Sequence, residues 1–165
     1  MRQTYPERVP RLLVSNADNE FVGKLIESLS TKHDIPISAL GGQDLDFPDV
    51  ELVTEPGNET HVLVTMPNTD EAAPNAIELI DALPGDEHLL FIANNLDPSH
   101  EGVIEHIKAS GKHWTIIHPI AMMDFAFAAL PPQIQLAGVV FGISGRAKVG
   151  FVAASDIMRV LATVI

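Results

Sequence analysis

Residues 11–30, RLLVSNADNEFVGKLIESLS, set the reading of the whole chain. Leu12, Leu13 and Val14 form a short apolar run that reads as a buried strand. Ser15 to Glu20 is a polar turn, and Phe21, Val22, Leu25, Ile26 and Leu29 recur at helical spacing on one stripe. A strand, a tight turn and a helix in that order open an α/β unit. Free amide groups and the positive end of the helix dipole converge on such a turn, which makes it a seat for an anion. A phosphate comes close to backbone most easily at glycine, because a Cβ holds it off and penalises left-handed dihedrals. Here the turn runs Ser15, Asn16, Ala17, Asp18, Asn19, Glu20, and its only glycine is Gly23.

Downstream, Ile35 to Leu40 reads as a second strand, Asp49 to Thr54 as a third and His61 to Thr65 as a fourth. The links around the third strand, GGQDLDFP (41–48) and EPGNET (55–60), are rich in breakers and short. A parallel crossover normally needs a dozen or more residues. Two arrangements therefore compete. Either one sheet face has lost crossover helices, or residues 50–65 form a hairpin turning at Pro56-Gly57-Asn58; the rules for strand connections favour the first.

Beyond Pro67, a helix capped by Asn68 or Thr69 carries Ala76, Ile77, Ile80 and Leu83 inward and stops at Pro84-Gly85. His88 to Ala93 reads as a fifth strand, 98–110 as a helix ended by Gly111, and Trp114 to His118 as a sixth strand. Residues 120–130 are an apolar loop or short helix, 139–141 and 150–153 short strands, and Ser155-Asp156 caps a last helix over 157–165. Strands alternating with helices predict an α/β, Rossmann-like three-layer domain with a mostly parallel sheet and some crossover helices missing. Residues 1–10 read as a flexible leader and 11–165 as one domain.

Charge narrows the partners. The chain has 165 residues, 46% of them apolar, and a net charge of −12. No Lys or Arg lies between His33 and Ile107, while 16 of the 22 acidic residues do, so the middle of the chain carries a negative field. Nucleic acid and an anionic membrane surface, which need a basic footprint, are excluded. No segment reads as a membrane span or a signal peptide, and with no cysteine a cytoplasmic home is expected. The seven histidines show no H-x-H or H-E-x-x-H spacing, so no metal site is expected.

Two segments carry a family likeness. GVIEHIKASGKHWTIIHPIAMM (102–123) resembles the helix, strand and T-I-x-x-P run of NmrA-like atypical short-chain dehydrogenases/reductases, and GFVAASDIMRVLATV (150–164) resembles their F-V-x-x-x-D-I-A strand and helix. The resemblance implies a Rossmann fold, NAD(P) as cofactor, and oxidoreductase, isomerase or redox-sensing activity. The family's G-x-x-G-x-x-G turn maps onto Asn16, Asn19 and Gly23 with one extra residue. Its Tyr-x-x-x-Lys pair falls on Asp97 and Glu101, which supply neither the proton donor nor the cation that lowers its pKa. Where NADP-binding members carry Arg or Lys after the second strand, this chain has Gly41-Gly42-Gln43.

Ligands of open α/β sheets sit at the carboxyl ends of the strands. Candidate cofactor contacts are therefore Ser15, Asn16, Asp18, Asn19, Gly23, Thr65, Asn68, Asn94 and Pro119, with Asn95, Met122, Met123 and Phe125 toward a small-molecule substrate. The same residues have plainer roles open to them: Asp18 or Asn19 as helix cap, Asn68 as cap, Asn94-Asn95 as turn. His118, at a strand end over the pocket, is the candidate acid or base. The plainer role, a strand-end histidine satisfied by its neighbours, is the commoner one for such a residue. Residues 120–130 are a lid or packing, and a sheet face without helices calls for cover, so a homodimer is expected. Three functions stay open: a dinucleotide-dependent oxidoreductase relative, a cofactor-free binding or regulatory module, and a cofactor-independent isomerase or cyclase using His118.

Overall fold

A computed structural model describes residues 9–17, 20–41, 49–67, 69–93, 97–119, 122 and 150–165. Its six strands are β1 (Leu12–Ser15), β2 (Ile37–Leu40), β3 (Val50–Val53), β4 (His61–Val64), β5 (His88–Ile92) and β6 (His113–Ile117). They form one sheet in the order β3-β2-β1-β4-β5-β6. All five pairings are parallel. This is the doubly wound Rossmann order, whose direction of winding reverses between β1 and β4. The hairpin alternative for 50–65 is thereby overturned, since β3 pairs with β2 and β4 with β1.

The described helices are α1 (Glu20–His33), α2 (Ala72–Ala82), α3 (Pro98–Ala109) and α4 (Ala154–Val164). A parallel sheet covered on both faces needs strands apolar on both sides, and the run Leu12-Leu13-Val14 supplies that. Leu12 and Val14 pack with Leu25, Ile26 and Leu29 of α1 and with Ile157 and Leu161 of α4. Leu13 faces the other way, toward Ile80 of α2 and Val103 and Ile107 of α3.

No helix fits between β3 and β4, where the chain has only residues 54–60. It must cross three strand spacings, about 14 Å sideways. Seven extended residues reach roughly 24 Å, whereas seven helical ones reach only about 10 Å. The link is therefore extended, and it is held by polar contacts. Gly57 N donates to Glu59 Oε2 at 2.7 Å. Burial pushes the Glu59 carboxyl up, but hydrogen bonds from the Ser38 side chain and the Gly57 backbone outweigh it and hold the group below its ordinary value. Ser38, inside β2 and nearly inaccessible, is thus covered by a carboxylate where a crossover helix would otherwise lie. Between β2 and β3 run residues 41–49, of which 42–48 lie outside the described residues.

Several element ends differ from expectation. Helix α2 starts after Glu71, whose side chain makes no cap bond, so it begins later than a cap at Asn68 or Thr69 implies. Helix α4 starts at Ala154, ahead of the expected Ser155-Asp156 cap, and Asp156 lies in its first turn. The expected strand over 150–153 reduces to one parallel bridge, Val152 with Met122.

Candidate functional site at the reversal of the sheet

The carboxyl edge between β1 and β4 is built from three polar residues. The paired ladder ends at Val14 and Leu63. Beyond it, side chains take over: Thr65 N donates to Ser15 Oγ at 2.8 Å, and the Thr65 hydroxyl donates to the Ser15 carbonyl. Asn16 Nδ2 donates to the Thr65 carbonyl at 2.7 Å. Both Ser15 and Thr65 are buried. These bonds satisfy backbone groups that would otherwise be orphaned where two strands diverge around a crevice.

Asn16 has φ +50, inside the left-handed region. Asparagine tolerates that region better than most side chains, and this is the backbone conformation for which dinucleotide turns ordinarily use glycine. On the other side of β1, Ala17 N donates to the Leu40 carbonyl at 3.4 Å, tying the turn to the end of β2. The structure thus brings Ser15, Asn16 and Thr65 together, but against one another. Gly23 lies half-buried within α1. Asp18, Asn19, Asn68, Asn94, Asn95, Met123 and Phe125 lie outside the described residues.

At the far side of the same edge, His118 follows β6 and is exposed, with Pro119 half-buried beside it. Met122, expected on the substrate side, is half-buried, bridges to Val152 and packs against the core beneath α1 and α4. Asp97 and Glu101 stand at the start of α3. Asp97 is its N-cap, accepting from Ser99 N at 3.0 Å and from Ser99 Oγ at 2.6 Å, and the Ser99 bonds hold its carboxyl below the ordinary value. Glu101 is exposed in the first turn.

One residue near this edge escaped the sequence reading. His100 is buried, its ring 5.3 Å from that of Phe91 and its Nε2 3.8 Å from Asp97 Oδ2. Burial lowers its pKa, with the Asp97 charge opposing. The signal was present: His100, Val103 and Ile107 share the i, i+3, i+7 spacing of the inward stripe.

At the opposite, amino edge a cavity of about 790 Å³ opens among the loops that lead into β4, β5 and β6, with His61, His88, His113 and Lys112 in its wall. It lies away from the edge where doubly wound folds bind ligands. Among the described residues, no group of three His, Asp or Glu side chains is placed to hold a metal ion, and no helix is long and apolar enough to cross a membrane.

No protein-family model matches the sequence, and no curated protein matches it. Solved structures do match. A Rossmann-fold NAD(P)-binding family protein from Shigella flexneri superposes at TM-score 0.64 and 14% identity, over 95% of this chain and 86% of that one. A nucleoside-diphosphate-sugar epimerase from Staphylococcus aureus gives TM-score 0.75 at 14% identity, over 93% of this chain but only 66% of its own. A short-chain dehydrogenase/reductase from Veillonella parvula in complex with NADP gives TM-score 0.60 at 14% identity, over 92% and 85%. At such identities the likeness is one of fold: this chain has the architecture of Rossmann domains.

Proposed function

We propose that the chain is an NAD(P)-binding Rossmann domain related to the NmrA-like short-chain dehydrogenases/reductases, seating a dinucleotide across the carboxyl edge of β1 and β4. Asn16 carries this reading. At the sheet's reversal point, directly after β1, its backbone keeps the left-handed turn that lets α1 present its amino end to a diphosphate. Residues 15–23 would face the pyrophosphate, with Thr65 and Asn68 along the crevice and Asn94, His118 and Pro119 near the nicotinamide. Asn95, Met122, Met123 and Phe125 would line the substrate side. The similar NAD(P)-binding protein from Shigella flexneri and the Veillonella parvula short-chain dehydrogenase/reductase in complex with NADP support the cofactor class.

The chemistry expected is modest. The resemblance places Asp97 and Glu101 where such enzymes carry Tyr and Lys, and Asp97 is engaged in capping α3. Proton transfer at this edge would fall to His118. Cytoplasmic residence, one folded unit over 11–165 and homodimer formation belong to the same reading, with half-exposed Leu52 on edge strand β3 as a surface that a second copy would cover.

A second reading, a cofactor-free small-molecule or partner-binding module, draws on a different observation. Ser15, Asn16 and Thr65 spend their polar atoms on each other. Thermal unfolding with NADH, with NADPH and without nucleotide separates the two. A ligand at 100 times its Kd adds about 2.7 kcal/mol of stability. An unchanged Tm with either nucleotide at millimolar concentration would overturn the first reading in favour of the second.

A further inference from the structure

We infer that the site selects NAD(H) over NADP(H), because the edge where the adenosine ribose would lie is acidic and receives no cation from its own strands. The inference rests on the dinucleotide reading above. In doubly wound folds the ribose 2′-hydroxyl lies at the end of the second strand, where a carboxylate accepts its proton or an Arg receives a 2′-phosphate.

Here that place is fixed by register. Leu40 ends β2 beside Ser15, and Val53 ends β3 beside Leu40. Gly41, Thr54 and Glu55 therefore follow at one edge, all of them exposed. Gly41 has φ +82, a left-handed turn that brings backbone rather than a side chain to this point. Glu55 adds a negative charge. No Lys or Arg occurs anywhere between His33 and Ile107, which includes both strand ends and the whole link between β2 and β3. Arg11 belongs to the opposite, amino edge and is ion-paired with Glu51 at 3.5 Å.

A 2′-phosphate would bring nearly two negative charges to this edge, whereas a 2′-hydroxyl brings a donor that a carboxylate welcomes. Repulsion between charges at an exposed edge is screened by salt. NADPH should therefore gain on NADH as ionic strength rises.

The test is a fluorescence titration of the full chain with NADH and with NADPH, at low and at raised salt. The expected result is NADH at least about tenfold tighter at low salt, with the gap narrowing as salt is added. Glu55→Arg, or Thr54→Arg should the first variant fold poorly, should tighten NADPH several-fold relative to NADH and so shrink or invert the preference. Equal or tighter binding of NADPH by the unaltered chain overturns the selectivity while leaving the dinucleotide site standing. If neither nucleotide binds, the dinucleotide reading itself falls, and the selectivity with it.

Discussion

Thr65 donates its backbone N–H to Ser15 Oγ at 2.8 Å while its hydroxyl donates to the Ser15 carbonyl, a double donation from one residue across the two strands that bound the sheet's reversal. Ser15→Ala leaves the buried Thr65 N–H without its acceptor, a loss worth about 1–3 kcal/mol. In a domain of this size Tm falls by roughly 2–4 °C per kcal/mol. Thr65→Val keeps that N–H but removes the hydroxyl that donates to the Ser15 carbonyl. Because the residues form one unit, the double variant should cost less than the sum of the singles, and a thermal double-mutant cycle with no coupling would contradict the pairing.

Asn16 separates backbone from side-chain effects. Asn16→Ala must hold an ordinary side chain in the left-handed region, at about 1–2 kcal/mol, and also loses the bond to the Thr65 carbonyl. Asn16→Gly loses the same side-chain bonds without that backbone strain, so it should be clearly the more stable of the two in urea unfolding. If the dinucleotide reading holds, Asn16→Gly also removes a Cβ from the turn and tightens NADH. Should Asn16→Ala bind NADH as well as Asn16→Gly, the turn does not contact the diphosphate.

The extended link between β3 and β4 depends on Glu59. Glu59→Gln keeps the shape but removes the charge that the Ser38 side chain and the Gly57 N–H stabilise, and a cost of roughly 1 kcal/mol is expected. Ser38→Ala should reduce that cost, since Glu59 then has one donor fewer to lose. Chemical denaturation of the two singles and the double measures this directly.

How much of this was legible follows from where the information sits. Leu12-Leu13-Val14 shows both its faces in sequence because a parallel strand is apolar on both sides, and the sheet followed from it. The order of strands around β3 was ambiguous, because a short extended link and a hairpin turn use the same Pro, Gly and Asn residues; only pairing with β2 decides it. At the site, Ser15, Asn16 and Thr65 were picked out for their polarity and position. That they bond to one another is a matter of residues 50 positions apart, to which local pattern is blind. His100 went unread because one histidine in an apolar stripe alters the spacing so little.

Histidines give the chain its acid limit. His61, His88 and His113 stand in register at the starts of β4, β5 and β6, with the rings of His61 and His88 5.4 Å apart. Burial, then the neighbouring His88, lowers the pKa of His61; burial, then His113, lowers that of His88. Hydrogen bonds to the backbone of Val164 and Trp114 oppose these shifts without reversing them. With His100 also lowered, the unfolded chain binds more protons than the native one below the ordinary histidine pKa of 6.5. Stability is therefore full above that value and falls as pH drops through it toward the native pKa values. Glu59 and Asp97 are shifted down as carboxylates, so their contribution persists through this window and is lost only further into acid, below about pH 4. Melting curves between pH 8 and pH 5 should show Tm declining on the acid side, and His61→Gln with His88→Gln should flatten that decline by less than the sum of the single changes, because either change alone already removes the repulsion between the two rings. An acid limb identical in the double variant would assign the loss elsewhere, to His100 in the first turn of α3.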